Sequence, residues 1–393
     1  MSGSTGIVLS GGGARGAYEA GVVLGIMQVL QPTAPPFDIL CGTSVGALNA
    51  SYLAAHAHLP DMGAAKLADE WRALDVAKHL KLDLRGVLGW KREWGAGAGK
   101  PVLVGRSLLD AGAVEGIVRD RVPWDQVHAN IAASRVRALI VSALHIASGK
   151  TTIFAELAPG ASIANSKDPR RVLDLSQIHA DHVLASAAIP LLFPARLVGD
   201  EYFCDGGMRF NTPISPAIRA GADRLVVISL LSQESAETDP RPKSERVQAY
   251  NSPLFLIGKV LNALLLDPMR YDLQVLDRFN RLIEALEKAL PPHELEDVQR
   301  VLREARGLPY RKLDTLVFRP TMDVGRMARE RALELQGSRF SSWLLARTAT
   351  LGSLWESDLL SFILFDHEFA EELISLGHRD ATSRKDEIKA FFA

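Results

Sequence analysis

The sequence predicts an α/β fold, a mostly parallel sheet covered by helices, with a helical insertion and a helical C-terminal tail. Two short apolar runs near the N-terminus, "GIVLS" and "FDILCGTS", each pass through a glycine-bearing turn into an alanine-rich run. Strand, tight turn and helix in repetition is how a parallel sheet is written. Further continuous apolar runs, "RALIVSALHI" and "RLVVISLL", have the length and β-branched content of buried strands. Beyond about residue 269 the apolar period changes to that of a helix.

In chain order, residues 6–10 read as a buried strand, the glycines after it as a turn, and the stretch from about Ala14 to Leu30 as a helix ended by Pro32, Pro35 and Pro36. "FDILCGTS" is the second strand and "GALNASYLAAHAH" the second helix. From Pro60 to Trp124 the chain reads as loop, with "REWGAGAGKPVLVG" its least regular piece. Strands return in "RVRALIVSALHI" and "KTTIFAEL". A helix ending in "ASAAIPLLFPARLV" follows, then a hairpin-like "DEYFCDGG", a helix in "SPAIRAG" and a strand in "DRLVVISLL".

Residues 233–250 form a polar linker rich in charge and proline. Leu273, Leu276, Ile283, Leu286 and Leu290 lie on one face of an amphipathic helix over 269–290, stopped by Pro291 and Pro292. "DTLVFRPT" is a last strand that returns to the sheet, and helix follows to the C-terminus. The expected division is a core over 5–232, a linker and helical insertion over 233–311, and a final core strand with the tail over 312–393.

At 47% hydrophobic and 23% charged, the 393-residue chain can bury a large core. A formal net charge of -1 offers no general attraction to nucleic acid or anionic lipid, so membrane contact would be local and apolar. The N-terminus lacks the basic segment of a signal peptide, and no apolar run has the length of a membrane span. Two cysteines, Cys41 and Cys204, read as small apolar strand residues and fit a reducing compartment. The expected location is the cytoplasm, with room for peripheral contact at a membrane.

"CGTSVG" places Ser44 between Gly42 and Gly46 where a strand must reverse into a helix, flanked by Thr43 and Val45. Such a turn can hold a nucleophile at its tip, whereas serine is also a good helix N-cap. "SGGGARG" matches GxGxxG through Gly11, Gly13 and Gly16, a pattern that holds a dinucleotide if an acidic residue ends the second strand. Asp38 is at about the right distance but begins that strand. The same turn can instead offer unobstructed backbone N–H groups to a developing oxyanion. "FCDGG" places Asp205 before Gly206 and Gly207, either as a turn aspartate or as a base for the serine. No histidine is an obvious partner for Ser44, and "HADH" at 179–182 lacks the further ligands of a metal site.

Together these motifs resemble the patatin-like phospholipases, which carry a GGGxRG turn, a GxSxG elbow, "ASAAIP" and a DGG turn in that order. Here they fall at Gly11–Gly16, Gly42–Gly46, Ala185–Pro190 and Asp205–Gly207, and the resemblance covers roughly residues 6–230. "FDHEFAEELISLGHRDA" looks like the tail of bacterial members, less specifically. The resemblance implies a three-layer core, a serine–aspartate dyad of Ser44 and Asp205 without histidine, and an oxyanion hole in the loop Gly11, Gly12, Gly13, Ala14, Arg15 and Gly16. Within that loop Gly12, Gly13 and Ala14 would supply the N–H groups, and Arg15 would brace the turns or meet a phosphate.

The implied activity is hydrolysis of phospholipid or lysophospholipid acyl esters through an acyl-enzyme, with no metal, no cofactor and no nucleic-acid partner. Acyl transfer or thioester hydrolysis at the same dyad is the enzymatic alternative, and a dinucleotide-binding regulatory module the non-enzymatic one. The apolar run Leu254–Leu266 is read as buried core, with a lid or lipid-contacting surface as its alternative.

Overall fold

In the computed structural model, residues 3–74, 115–190, 192–233, 267–308, 312–335 and 357–393 are described, with a few isolated positions between 244 and 263. The described strands are β1 (Thr5–Leu9), β2 (Ile39–Thr43), β3 (Ala138–His145), β4 (Thr151–Leu157), β5 (Arg171–Leu175), β6 (Arg196–Val198), β7 (Glu201–Asp205), β8 (Arg224–Ile228) and β9 (Asp314–Phe318). They form one sheet in the order β5-β4-β3-β2-β1-β8-β9, with β7 pairing β3 beside this path and β6 pairing β7. The centre of the sheet, β3-β2-β1-β8-β9, is parallel throughout. Antiparallel pairing is confined to β3–β4, β3–β7 and β6–β7.

The described α-helices are α1 (Gly16–Leu30), α2 (Val45–Ala55), α3 (Ala64–Arg72), α4 (Trp124–Ala132), α5 (Ala180–Ser186), α6 (Ile214–Arg219), α7 (Asp267–Ala289), α8 (Pro292–Arg306), α9 (Val324–Glu334), α10 (Ser357–Ile363), α11 (His367–Thr382) and α12 (Lys385–Phe392). Alternation along the strands builds two cores. Ile7 and Leu9 of β1 join a cluster with residues of α1, α2 and α11, whereas Val8 joins one with Ile214 and Ala217 of α6. Successive strand residues face opposite sides, so a sheet buried on both faces needs such continuous apolar runs.

The stretch 60–124 is not loop throughout. Ala64, Leu67, Ala68 and Trp71 are buried along one face of α3, a helical spacing within only nine residues that is easily hidden among its polar neighbours. Residues 75–114, including "REWGAGAGKPVLVG", lie outside the described residues, as do nearly all of 234–266, with the polar linker and the apolar run Leu254–Leu266. Strand β5 is a further element that the apolar pattern does not announce: it lies at the sheet edge, with Val172 and Leu175 exposed.

Pro291 and Pro292 do stop α7, but Pro292 also starts α8, a position where the missing N–H is not needed. Asn280 of α7 exchanges two side-chain hydrogen bonds with the backbone of Leu313, at the entry to β9. β9 pairs in parallel with β8. The C-terminal helix α11 packs on α1, where the Tyr18 hydroxyl donates to Asp380 at 3.0 Å and Asp380 also accepts from the hydroxyl of Thr321 at 2.7 Å.

Candidate active site

β1 and β2 run side by side in register, Leu9 against Gly42, so both carboxyl ends open at the same edge. The turns that follow therefore meet. Ser44 sits between β2 and α2 with φ 55° and ψ -125°, a conformation that costs an L-residue about 1–3 kcal/mol and survives only where its surroundings hold it. Its flanking glycines make the turn sterically feasible. A Cβ on Gly42 would lie 2.2 Å from the Gly46 carbonyl oxygen, and one on Gly46 would lie 2.4 Å from that of Leu9. Although Ser44 occupies the N-cap position of α2, its side chain makes no capping hydrogen bond. The bland use of that hydroxyl is absent.

The Ser44 backbone N–H is held by the Ser186 hydroxyl at 2.7 Å, and Ser186 in turn donates to the carbonyl of Ser142 on β3 at 2.6 Å. Two residues on, the Ala188 carbonyl accepts the Asp205 N–H at 2.9 Å. The segment "ASAAIP" thus fixes the serine turn with one residue and the aspartate turn with another. Asp205 ends β7, whose pairing with β3 sets Asp205 opposite Ala143, one residue beyond the pairing of Thr43 with Ser142. The register of β3 is what brings two turns, distant in sequence, together.

Asp205 is fully buried. Its Oδ1 accepts the Gly207 N–H at 2.6 Å, so it does serve as a turn aspartate, whereas Oδ2 has no hydrogen-bond partner of good geometry among the described residues. Burial pushes the carboxyl up to about 7, against the opposing effects of the nearby Ser44 hydroxyl and the Gly207 amide. One carboxylate oxygen is tied down, and the Ser44 hydroxyl lies near the carboxyl. A carboxyl poised near neutral pH can take a proton from a hydroxyl, which an exposed, strongly solvated carboxylate does poorly.

The opening loop lies against the serine: a Cβ on Gly11 would come within 3.1 Å of the Ser44 Cβ. The Gly11 peptide is clamped on both sides by the Asn211 side chain, whose Oδ1 accepts from Gly11 N–H at 3.0 Å and whose Nδ2 donates to Gly11 carbonyl at 3.1 Å. Arg15 N–H is spent on the Gly12 carbonyl at 3.2 Å, and that of Gly16 on the turn itself. The Gly12, Gly13 and Ala14 N–H groups have no acceptor among the described residues. Gly13 has φ +57°, and a Cβ there would lie 2.1 Å from the Phe362 carbonyl oxygen.

The Arg15 side chain points away from solvent into the tail. Its Nε donates to the Ser361 hydroxyl at 2.7 Å, and the guanidinium lies 4.6 Å from the centre of the Phe362 ring. In this position it braces the loop against α10. A second brace is the buried Glu19, which accepts from Ser10 N–H at 2.7 Å and from Asn49 Nδ2 at 2.8 Å, while Trp71 Nε1 donates to Asn49 Oδ1 at 2.9 Å. Burial raises the Glu19 carboxyl well above the usual carboxylate range.

Asp38 does not join this loop. It lies just before β2, at the opposite edge of the sheet, accepting from Thr5 N–H at 2.8 Å and Ser4 hydroxyl at 3.2 Å. An acidic residue there cannot meet a ribose at the glycine turn. The histidines whose hydrogen bonds are described are engaged elsewhere, His56 with the Tyr52 carbonyl, His128 with Glu156, His145 with Ser148 and Glu201, His367 with the Arg72 carbonyl and His378 with Gln28. His182 accepts from the His179 N–H in a helix capping box.

Sequence reasoning singled out Ser44, Asp205 and the glycine loop but missed Asn211, Glu19 and Asn49. Asn211 lies only six residues past Asp205, in "RFNTP". A polar side chain a few residues after a glycine turn and two before Pro213 is the one signal that could have marked it.

A strained serine, a buried carboxyl near it and loop amides without an acceptor among the described residues lie together at the carboxyl edge of a parallel sheet. The patatin-like phospholipase family model matches residues 7–218, more than half of the chain. The chain belongs to that family. It is 29% identical over 208 residues to the cGAMP-activated phospholipase of Pseudomonas aeruginosa (53% of each chain). Over 80 residues it is 42% identical to lysophospholipase NTE1 of Chaetomium globosum (19% of this chain, 5% of the relative). Thus it spans about half the length of the bacterial relative and a small part of the fungal one. Among solved structures, VipD from Legionella pneumophila aligns over 94% of this chain and 92% of its own at 12% identity, with a TM-score of 0.31.

Proposed function

We propose that this protein hydrolyses fatty-acyl esters of phospholipids or lysophospholipids, with Ser44 as nucleophile and Asp205 as its base. The observation that carries this reading is the Asp205 carboxyl, buried and raised to about 7, with the Ser44 hydroxyl near enough to oppose that rise and Oδ2 lacking a hydrogen-bond partner of good geometry among the described residues. In the first step Asp205 takes the hydroxyl proton as Ser44 Oγ bonds to the ester carbonyl carbon. Negative charge moves to the carbonyl oxygen, where the N–H groups of Gly12, Gly13 and Ala14 can receive it. Each such donor is worth about 3–4 kcal/mol of barrier. Collapse expels the alcohol, which takes the proton from Asp205, and leaves an acyl-serine. Water then repeats the sequence and releases the fatty acid.

Membership of the family and the printed activities of the relatives, a phospholipase and a lysophospholipase, support a lipid substrate. No described helix is long and apolar enough to cross a membrane. We place the protein in the cytoplasm, with peripheral contact at membranes. We also retain a core over 5–232, an insertion over 233–311 and a tail over 312–393. A fluorophosphonate probe tests the dyad: labelling of the wild type that is lost in Ser44→Ala and sharply reduced in a folded Asp205→Asn is expected. Full labelling of Asp205→Asn would transfer the role of base to another group.

A further inference from the structure

We propose that a cavity lined by Arg170, Arg171 and Arg209 is the subsite for the phosphate of the lipid headgroup, an inference that rests on the lipid-ester reading above. The cavity holds about 130 Å³ and is completed by Thr151, Asp168 and Phe210. Three guanidinium groups and one carboxylate leave it cationic in a chain whose formal net charge is -1. Arginine presents planar N–H forks that match phosphate oxygens, and the phosphate group is the anion most consistent with that donor set.

Its position follows from strand register. Thr151 pairs with Leu144 and Arg171 with Thr151, so these residues stand one row beyond Ala143, the residue opposite Asp205. The cavity therefore lies at the same edge of the sheet as the serine, on the face that carries Phe210 and α6. Three strand spacings of about 4.8 Å separate the strand of Ser44 from that of Arg171, and a long side chain shortens that gap. The Arg171 guanidinium lies 4.3 Å from the centre of the Phe210 ring, and the Phe210 carbonyl accepts from the hydroxyl of Thr43, the residue before Ser44, at 3.2 Å. Arg209 is set on the far side by donating to the Gly149 carbonyl at 2.6 Å. Asp168 accepts two hydrogen bonds from the Arg170 side chain, at 3.0 and 2.9 Å, and orients that guanidinium at the rim. In a glycerophospholipid the phosphate lies a few bonds from the acyl ester, a span suited to cargo held at both points.

The test compares lysophosphatidylcholine with monooleoylglycerol, which carries the same kind of ester but no phosphate, in wild type, Arg170→Gln and the double variant Arg170→Gln/Arg171→Gln. The expected result is a preference for lysophosphatidylcholine in kcat/KM that falls about tenfold or more in the double variant, as loss of charged hydrogen bonds implies. Arg170 is largely exposed, so the single variant folds and shows a smaller fall in the same ratio. Inorganic phosphate should raise the apparent KM for lysophosphatidylcholine and raise the wild-type melting temperature, with both effects weakened in the double variant. An unchanged preference overturns the proposal, as does a phosphate-induced melting shift that the variant retains. Stimulation of p-nitrophenyl butyrate hydrolysis by phosphate would assign the cavity to a soluble anion and also overturn it. Failure of Ser44 to take a fluorophosphonate would remove the dyad instead, because the melting shift reads the cavity without turnover.

Discussion

On the proposed mechanism Asp205 makes the sharpest prediction, because burial would then set the pH at which the serine is activated. The perturbation is pH, lowered from 8 to 5. With the carboxyl pushed up to about 7, only about one molecule in a hundred carries the ionised base at pH 5. The value of kcat/KM should therefore be about a hundredfold below its plateau, falling tenfold per pH unit below 7. A carboxyl at its ordinary value would leave the same rate nearly flat down to pH 5. The assay is initial-rate hydrolysis of p-nitrophenyl butyrate across pH 5–8, with circular dichroism at each pH to establish that the fold persists. A profile flat to pH 5, or one with its midpoint near 4, would refute the argument that desolvation tunes this base.

The same group makes a stability prediction of opposite sense to the usual carboxylate. Its folded value lies above its unfolded one, so its stability contribution is present below about pH 4 and is lost as pH rises through 7. Asp205→Asn should then unfold at higher denaturant than wild type at pH 8, by on the order of 4 kcal/mol, and the difference should vanish near pH 4; a pH-independent difference would contradict it. Ser186→Ala strips a partner from both the Ser44 N–H and the Ser142 carbonyl, at about 1–3 kcal/mol each, and should lower kcat with little change in KM. A raised KM with kcat unchanged would assign Ser186 to substrate binding instead. Gly13→Ala must displace the Phe362 carbonyl and hold an unfavourable φ, so labelling of Ser44 should drop while the far-UV spectrum stays native; unimpaired labelling would detach this loop from the site.

The central parallel strands were legible because burial on both faces demands continuous apolar runs, and β1, β2, β3 and β8 have them. Strand β5 was not, since an edge strand with one exposed face can carry Arg171, Val172 and Asp174 without an apolar signature. Helix α3 was hidden for a related reason, its apolar face being only four residues long. At the site, the glycines could be picked out because crowding leaves no room for a Cβ there, and Ser44 because it stands between two of them. Asn211 and Glu19 carry no such compulsion: as amino acids they are ordinary, and only their placement makes them braces for the glycine loop.

By itself, the amino-acid order determined which residues could turn sharply, which had to be buried and which could react, because those are properties of each side chain and its immediate neighbours. The tertiary structure alone decided that the turn of Ser44 would lie next to that of Asp205, through the pairing of β3 with β2 and β7, and that the carboxyl there would lose its water. It also decided that Arg15 would turn toward the C-terminal tail. Register and desolvation arise from the whole packed chain. A short stretch of sequence holds neither.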